Sequence, residues 1–100
     1  MNFNGAVTLI KREYVNDAYG IQRETSTTHT VFCNVESITA SEFFNASQTG
    51  LKPEYRFTIY SFEYDGENLV QYHGERLNVY RVYQRSKDYV ELYTTKDAGQ

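Results

Sequence analysis

Tryptophan is absent from this 100-residue chain, cysteine, proline and methionine occur once each, and no cationic excess offsets the acids. The lone cysteine, Cys33, cannot close an internal disulfide. The chain does not open on a basic stretch followed by a long apolar run, so synthesis in a reducing cytoplasm is expected. No apolar run approaches the roughly 20 residues that a membrane-spanning helix needs, and no membrane partner is expected. Lys and Arg total 10 against 13 Asp and Glu, a net charge of -3. That leaves no global cationic field to gather phosphates, which disfavours capture of free DNA as the main function. A chain of this length buries only about 60 to 68% of its unfolded surface, which leaves nothing for a second core. The reading is a single domain over 1–100, with 1–5 and 96–100 frayed.

Catalytic equipment is also scarce. His29 sits beside a polar stretch and His73 in a turn, and neither has a Cys or a second His at ligand spacing. The acids Glu63, Asp65, Glu67 and Glu75 cluster around a turn, where charges ordinarily solvate loop ends rather than pair for proton transfer. No serine stands in a nucleophile elbow, and no glycine-rich phosphate loop occurs. Neither metal nor cofactor is expected, and the chain does not read as an enzyme. Asn45-Ala46-Ser47 matches a glycosylation acceptor, but without a secretory signal it has no use.

What the chain has in excess is aromatic surface: ten tyrosines and six phenylalanines. Tyrosine offers contact area and a hydroxyl at low entropic cost, which suits interfaces and strand faces alike. Short strands are predicted at Val7–Ile10 and, after the turn residues Asn16, Asp17 and Gly20, at Ile21–Thr28. The latter has almost no apolar face and reads as an edge or a partly ordered arm. From Thr30 to Ile38 a period of two puts Val31, Cys33 and Val35 on one face, so Cys33 reads as a small core residue. From Tyr55 the same alternation places Tyr55, Phe57 and Ile59 together. Asp65-Gly66 predicts a type I′ hairpin, His73-Gly74 a second turn after Asn68–Tyr72. Leu77–Gln84 carries apolar residues on both faces, Leu77 and Val79 against Tyr80 and Val82, which implies cover on both sides. In Tyr89–Thr94, Val90 and Leu92 point inward. The sum is a mainly β fold, a small antiparallel β-barrel of about seven short strands with one short inserted helix.

The inserted helix lies in Thr39–Glu54. Thr39-Ala40-Ser41-Glu42 matches the capping box, with the helix starting at Ala40 and the glutamate reaching back to the cap. Gly50 suits the left-handed residue past the last turn, Leu51 its hydrophobic contact, and Pro53 prevents continuation. So short a helix is marginal unless something packs on it. Phe43 and Phe44 point about 100° apart, so one can enter the core or plug the barrel end while the other faces a neighbour.

Arg76, Arg81, Arg85 and Lys87 place positive charge after the acidic turn. Three readings stay open: a nucleic-acid patch with Tyr80 and Tyr83 as stacking platforms, a strip that meets the acidic turn of an identical neighbour, and a mixed solvated surface. The second is favoured, because a head-to-tail ring needs two complementary surfaces on each copy.

The run Ser41-Glu42-Phe43-Phe44, a spacer, and Gly50-Leu51-Lys52-Pro53-Glu54, flanked by Phe32-Cys33-Asn34-Val35 and followed by Asp65-Gly66, His73-Gly74 and Val79-Tyr80-Arg81, resembles the head-tail joining (head-closure, or stopper) proteins of tailed bacteriophages and prophages. The resemblance spans roughly Val7 to Leu92. It implies a small barrel that assembles with itself as a ring, usually a dodecamer, in the virion neck between portal-adaptor proteins and the tail or tail-completion protein. Packaged double-stranded DNA passes through the channel and is retained there. Ser41, Glu42, Phe43, Phe44, Gly50, Leu51, Lys52 and Pro53 then occupy the place of a channel-facing or adaptor-docking segment. The ring interface would draw on Tyr60, Glu63, Asp65, Glu67, Glu75, Arg76, Tyr80, Arg81, Tyr83 and Arg85. The alternatives are an adjacent neck adaptor or tail-completion protein, or a single-stranded nucleic-acid-binding barrel.

Overall fold

Alternating side chains from six strands converge on one interior. The computed structural model describes residues 3–96 and contains β1 (Gly5–Asn16), β2 (Gln22–Ser37), α1 (Ala40–Ser47), β3 (Pro53–Tyr60), a 3-10 turn (Ser61–Glu63), β4 (Leu69–Tyr72), β5 (Glu75–Gln84) and β6 (Tyr89–Lys96). The antiparallel strands close into a barrel in the order β1-β2-β3-β6-β5-β4, and Thr8–Ile10 of β1 pairs with Leu69–Gln71 of β4 to shut it. Val7, Leu9, Val31, Cys33, Phe57, Ile59, Val70, Leu77, Val90 and Leu92 form the core, with Val35, Tyr55, Tyr64, Tyr72 and Val79 packed around them. Apart from Tyr64, which lies in the connection before β4, each of these comes from the period-two face of its strand, as a closed sheet requires. Cys33 lies wholly inside, and burial pushes its thiol up to about 11.

Six strands rather than seven result because two expected segments fuse. Ile21–Thr28 and Thr30–Ile38 were separated by His29 alone, which is no turn residue, and β2 runs through it for 16 residues. The expected strand Val7–Ile10 likewise lengthens to 12 residues, pairing from Gly5↔Cys33 to Asn16↔Gln22. Beyond Ile10 the ladder continues only as a two-stranded ribbon, which gives the molecule extents of 49 × 31 × 25 Å. Polar cross-strand contacts hold this arm: Thr25 Oγ1 donates to the Glu13 carbonyl at 3.3 Å, and Arg12 meets Glu24 at 3.4 Å. At its tip Asp17 Oδ1 accepts from the backbone N–H groups of Tyr19 and Ile21, at 2.8 and 2.9 Å.

Of the ends expected to fray, residues 3–5 and Lys96 join the barrel; residues 1–2 and 97–100 lie outside the described residues. Asn4 exchanges two side-chain hydrogen bonds with the backbone of Val35, and Phe3 sits edge-on to Tyr60 at 4.9 Å.

The type I′ hairpin is at His73-Gly74, not at Asp65-Gly66. His73 and Gly74 both have positive φ, 50° and 81°, between the paired residues Tyr72 and Glu75. At Asp65-Gly66 only the glycine does, and the flanking strands are not neighbours: both edges of β3 are taken, by β2 and β6, so the chain crosses to β4 through the 3-10 turn.

Candidate functional site

Helix α1 begins where the cap predicts. Thr39 Oγ1 accepts from the N–H of Glu42 at 3.2 Å, and the helix closes with Leu51 N–H to Ala46 O at 3.2 Å and Gly50 N–H to Ser47 O at 3.0 Å. Gly50 carries φ +87°, the left-handed conformation that this end requires. The second half of the capping box is replaced, however. The Glu42 carboxylate turns away from the cap and accepts from the Tyr80 hydroxyl at 2.8 Å and from the Arg81 guanidinium.

That latch depends on an irregularity in β5. The register with β6 slips between Val79↔Thr94 and Arg81↔Tyr93, so Tyr80 is an extra residue in a β-bulge. The bulge turns Tyr80 and Arg81 to the same outer face, where the Arg81 guanidinium lies 4.6 Å over the Tyr93 ring. It also reverses the expected side of Val82, which now opposes the inward Leu92. The apolar pattern that implied external cover on β5 is therefore partly a shift of register. Tyr80 is raised well above its ordinary pKa by burial first and then by its hydrogen bond to Glu42.

The outer face of β6 is covered by this chain's own polar groups. Glu91 and Tyr93 are buried and joined at 2.9 Å, Tyr93 hydroxyl donating. Arg85 approaches Glu91 at 3.9 Å, and Arg56 pairs with Glu36 at 2.9 Å on the adjoining strands.

Only Ala46 of α1 is buried. Phe43 and Phe44 are 49% and 64% exposed, so neither enters the core nor plugs the barrel. The reason is geometric: Ala46 and the Glu42 latch face the barrel, which leaves the ring-bearing side outward. Ser41 is exposed and Leu51 half-buried; the Lys52 carbonyl accepts from Thr95 Oγ1 at 2.8 Å, and Pro53 is buried at the head of β3.

The residues expected at a ring interface scatter. Tyr60 stacks between Phe62 and Tyr89, with ring centroids 5.4 and 5.5 Å apart. Glu67 is only 3% exposed: one oxygen accepts from Asp65 N–H at 2.7 Å, the other faces His29 Nδ1 at 3.7 Å. Asp65 meets Lys11 at 3.5 Å, and the Glu63 carbonyl accepts from His29 Nε2 at 3.1 Å. Glu75, Arg76 and Tyr83 are exposed on β5. The acidic turn and the positive strip are thus engaged largely within one chain: Glu42 with Arg81, Glu91 with Arg85, Asp65 with Lys11. Glu36, Arg56, Glu91 and Tyr93 were missed because an alternating polar face reads as solvated, and only the barrel's closure brings these groups under one another.

Among the described residues no three His, Cys, Asp or Glu side chains are grouped to hold a metal ion, and no helix is long and apolar enough to cross a membrane.

Comparison with known proteins gives two findings. Residues 1–99 match the profile of the family described as phage head completion protein. The fold is also similar to the solution structure of a protein from Shigella flexneri 2a, with a TM-score of 0.76 at 16% identity, covering 98% of this chain and 96% of that one. At that identity the likeness concerns the fold alone. No curated protein matches.

Proposed function

The chain belongs to the phage head completion protein family, and from that membership we propose that it is a ring subunit of the virion neck, closing the filled head and joining the portal-adaptor proteins to the tail. The coarser part follows from the family: a structural role in completing the phage head, in the virion. The ring, its dodecameric size, the tail or tail-completion partner and the retention of packaged double-stranded DNA in the channel are our reading.

The observation that carries it is the outward pair Phe43 and Phe44 on a helix fastened to its own barrel by one carboxylate and the buried Ala46. Two large exposed rings on so short a helix lose nothing in the folded chain by being covered and gain apolar burial when a neighbour covers them. Ser41–Pro53 is accordingly the channel-facing or adaptor-docking segment. Tyr60, Glu63, Glu75, Arg76 and Tyr83 are the expected interface positions left available, while Glu42, Glu67, Arg81 and Arg85 act from within the chain. Synthesis in the host cytoplasm fits a part added to filled heads. The nucleic-acid-binding barrel is disfavoured, because Tyr80 and Arg81, two of the groups it would use, are committed to Glu42.

The test is Phe43→Ala combined with Phe44→Ala. The variant should fold, since exposed substitutions usually stay within about 0.5 kcal/mol, yet give heads that leak DNA or fail to join tails. Normal particle yield from a folded variant removes the segment from the mechanism.

A further inference from the structure

We propose that Asn4-Gly5 is a deamidation site guarded by the fold, and that its conversion to aspartate or isoaspartate unfastens Phe3 from the aromatic cluster at Tyr60. The inference concerns the chemistry of this chain alone and does not depend on the neighbours its barrel meets.

Of the chain's asparagines only Asn4 is followed by glycine. That order matters because the reaction is an attack on the asparagine side chain by the next residue's backbone nitrogen, and a residue without a Cβ allows the closest approach. The Gly5 nitrogen bonds to the Asn4 side-chain carbonyl carbon, the bond from that carbon to Nδ2 breaks, and the amide nitrogen leaves as ammonia with the proton that Gly5 gives up. Water then opens the resulting five-membered imide at one carbonyl or the other, which yields aspartate or isoaspartate. Solvent water is the one co-reactant.

Both residues are set by the barrel. An added Cβ at Gly5 would stand 3.3 Å from Val35 Cγ2 and 3.9 Å from Cys33 Sγ, so close packing favours a glycine there. Asn4 stands just ahead of the first ladder pair, Gly5↔Cys33, and continues the ladder with its side chain. Its Oδ1 accepts from the Val35 N–H at 2.8 Å, and its Nδ2 donates to the Val35 carbonyl at 3.4 Å. The reactive pair is present because the fold uses each member.

The same two bonds guard it. They tie both ends of the side-chain amide to β2, so the carbonyl carbon turns onto the Gly5 nitrogen only when this end of β1 opens. At the ordinary net worth of two hydrogen bonds, the folded chain reacts roughly tenfold or more slowly than the unfolded one.

Once the amide is gone the clasp fails. An ionised aspartate only accepts hydrogen bonds, so the donor to the Val35 carbonyl is lost and a negative charge faces that oxygen. Isoaspartate also lengthens the backbone by a methylene group between positions 4 and 5. Phe3 is the neighbour that feels this: its ring lies edge-on to Tyr60 at 4.9 Å and to Tyr89 at 6.3 Å, held there by the adjacent anchor. The stack of Tyr60 with Tyr89 and Phe62 then loses its edge-on cover.

The experiment incubates the purified chain at mildly alkaline pH, once folded and once in denaturant, and follows both by peptide mapping with mass spectrometry. Asn4 should convert first among the asparagines in denaturant, and roughly tenfold or more slowly in the folded chain. In parallel, NMR compares the parent with its deamidated product and with Asn4→Asp. The contact between the Phe3 and Tyr60 rings should be lost in both, while the core signals of Val7 and Leu9 stay in place. Equal rates in the folded and denatured chains, or an unmodified Asn4 in denaturant, overturn the guarded site. A deamidated or Asn4→Asp chain that keeps the Phe3–Tyr60 contact overturns its consequence.

Discussion

Glu42 on α1 and Arg81 on β5 share an ion pair across 39 positions of sequence, and the same carboxylate accepts from the Tyr80 hydroxyl at 2.8 Å. Together with the buried Ala46, this side chain fixes the helix that carries the exposed phenylalanines to the barrel wall. Glu42→Ala should lower the free energy of unfolding by about 1 kcal/mol, below the range for buried bonds to a charged group because Arg81 is half exposed. In a double-mutant cycle with Tyr80→Phe the coupling should be about 0.5 kcal/mol or more, since the residues are in contact. Urea titration of the four proteins measures both; strictly additive losses would mean that the latch does not hold.

The end of α1 depends on a backbone conformation more than on contacts. Gly50 has φ +87° and an added Cβ would meet nothing within 4 Å, so Gly50→Ala costs only the left-handed strain, roughly 1–2 kcal/mol. Thermal unfolding should show the loss, and a variant as stable as the parent would show that the helix end had rearranged.

At the arm's tip, Asp17 is held below its ordinary value of 3.8, first by the N–H of Ile21 and next by that of Tyr19. A depressed carboxyl contributes stability that is fully present above 3.8 and is lost as pH falls through the lower, folded-state value. The amide signals of Tyr19 and Ile21 should therefore hold constant above that pH and move below it, in step with Asp17. In Asp17→Asn the same amides should show no such transition; a transition persisting there would assign the effect to another group.

Cys33 should behave as a core atom. Wholly buried, with its thiol pushed up to about 11, it offers almost no thiolate at neutral pH. Its alkylation should be slow in the native protein and rapid in denaturant, with a native rate that tracks unfolding. Fast labelling of the folded protein would place Cys33 at the surface.

Much of this architecture was legible because barrel closure imposes a period of two. Val31, Cys33 and Val35, and Tyr55, Phe57 and Ile59, face inward as their alternation requires, and Thr39 and Gly50 bound α1 with the chemistry their types supply. The failures share a physical cause, since each concerns pairing between distant segments. Nothing local distinguishes Asp65-Gly66 from His73-Gly74; the occupied edges of β3 decide between them. The bulge at Tyr80 follows from fitting β5 to β6, and without it neither the side of Val82 nor the partners of Glu42 can be deduced. The polar stretch Gln22–Thr28 carries no apolar signal because β1 alone supports it.

The central claim is that this barrel closes the neck as a ring. Electron microscopy of the purified chain mixed with portal-adaptor assemblies tests it most directly. The account predicts a closed ring of copies stacked on the tail-facing end of the adaptor, with α1 turned toward the channel or the adaptor. A chain that stays unbound and monomeric beside intact portal-adaptor assemblies would contradict it.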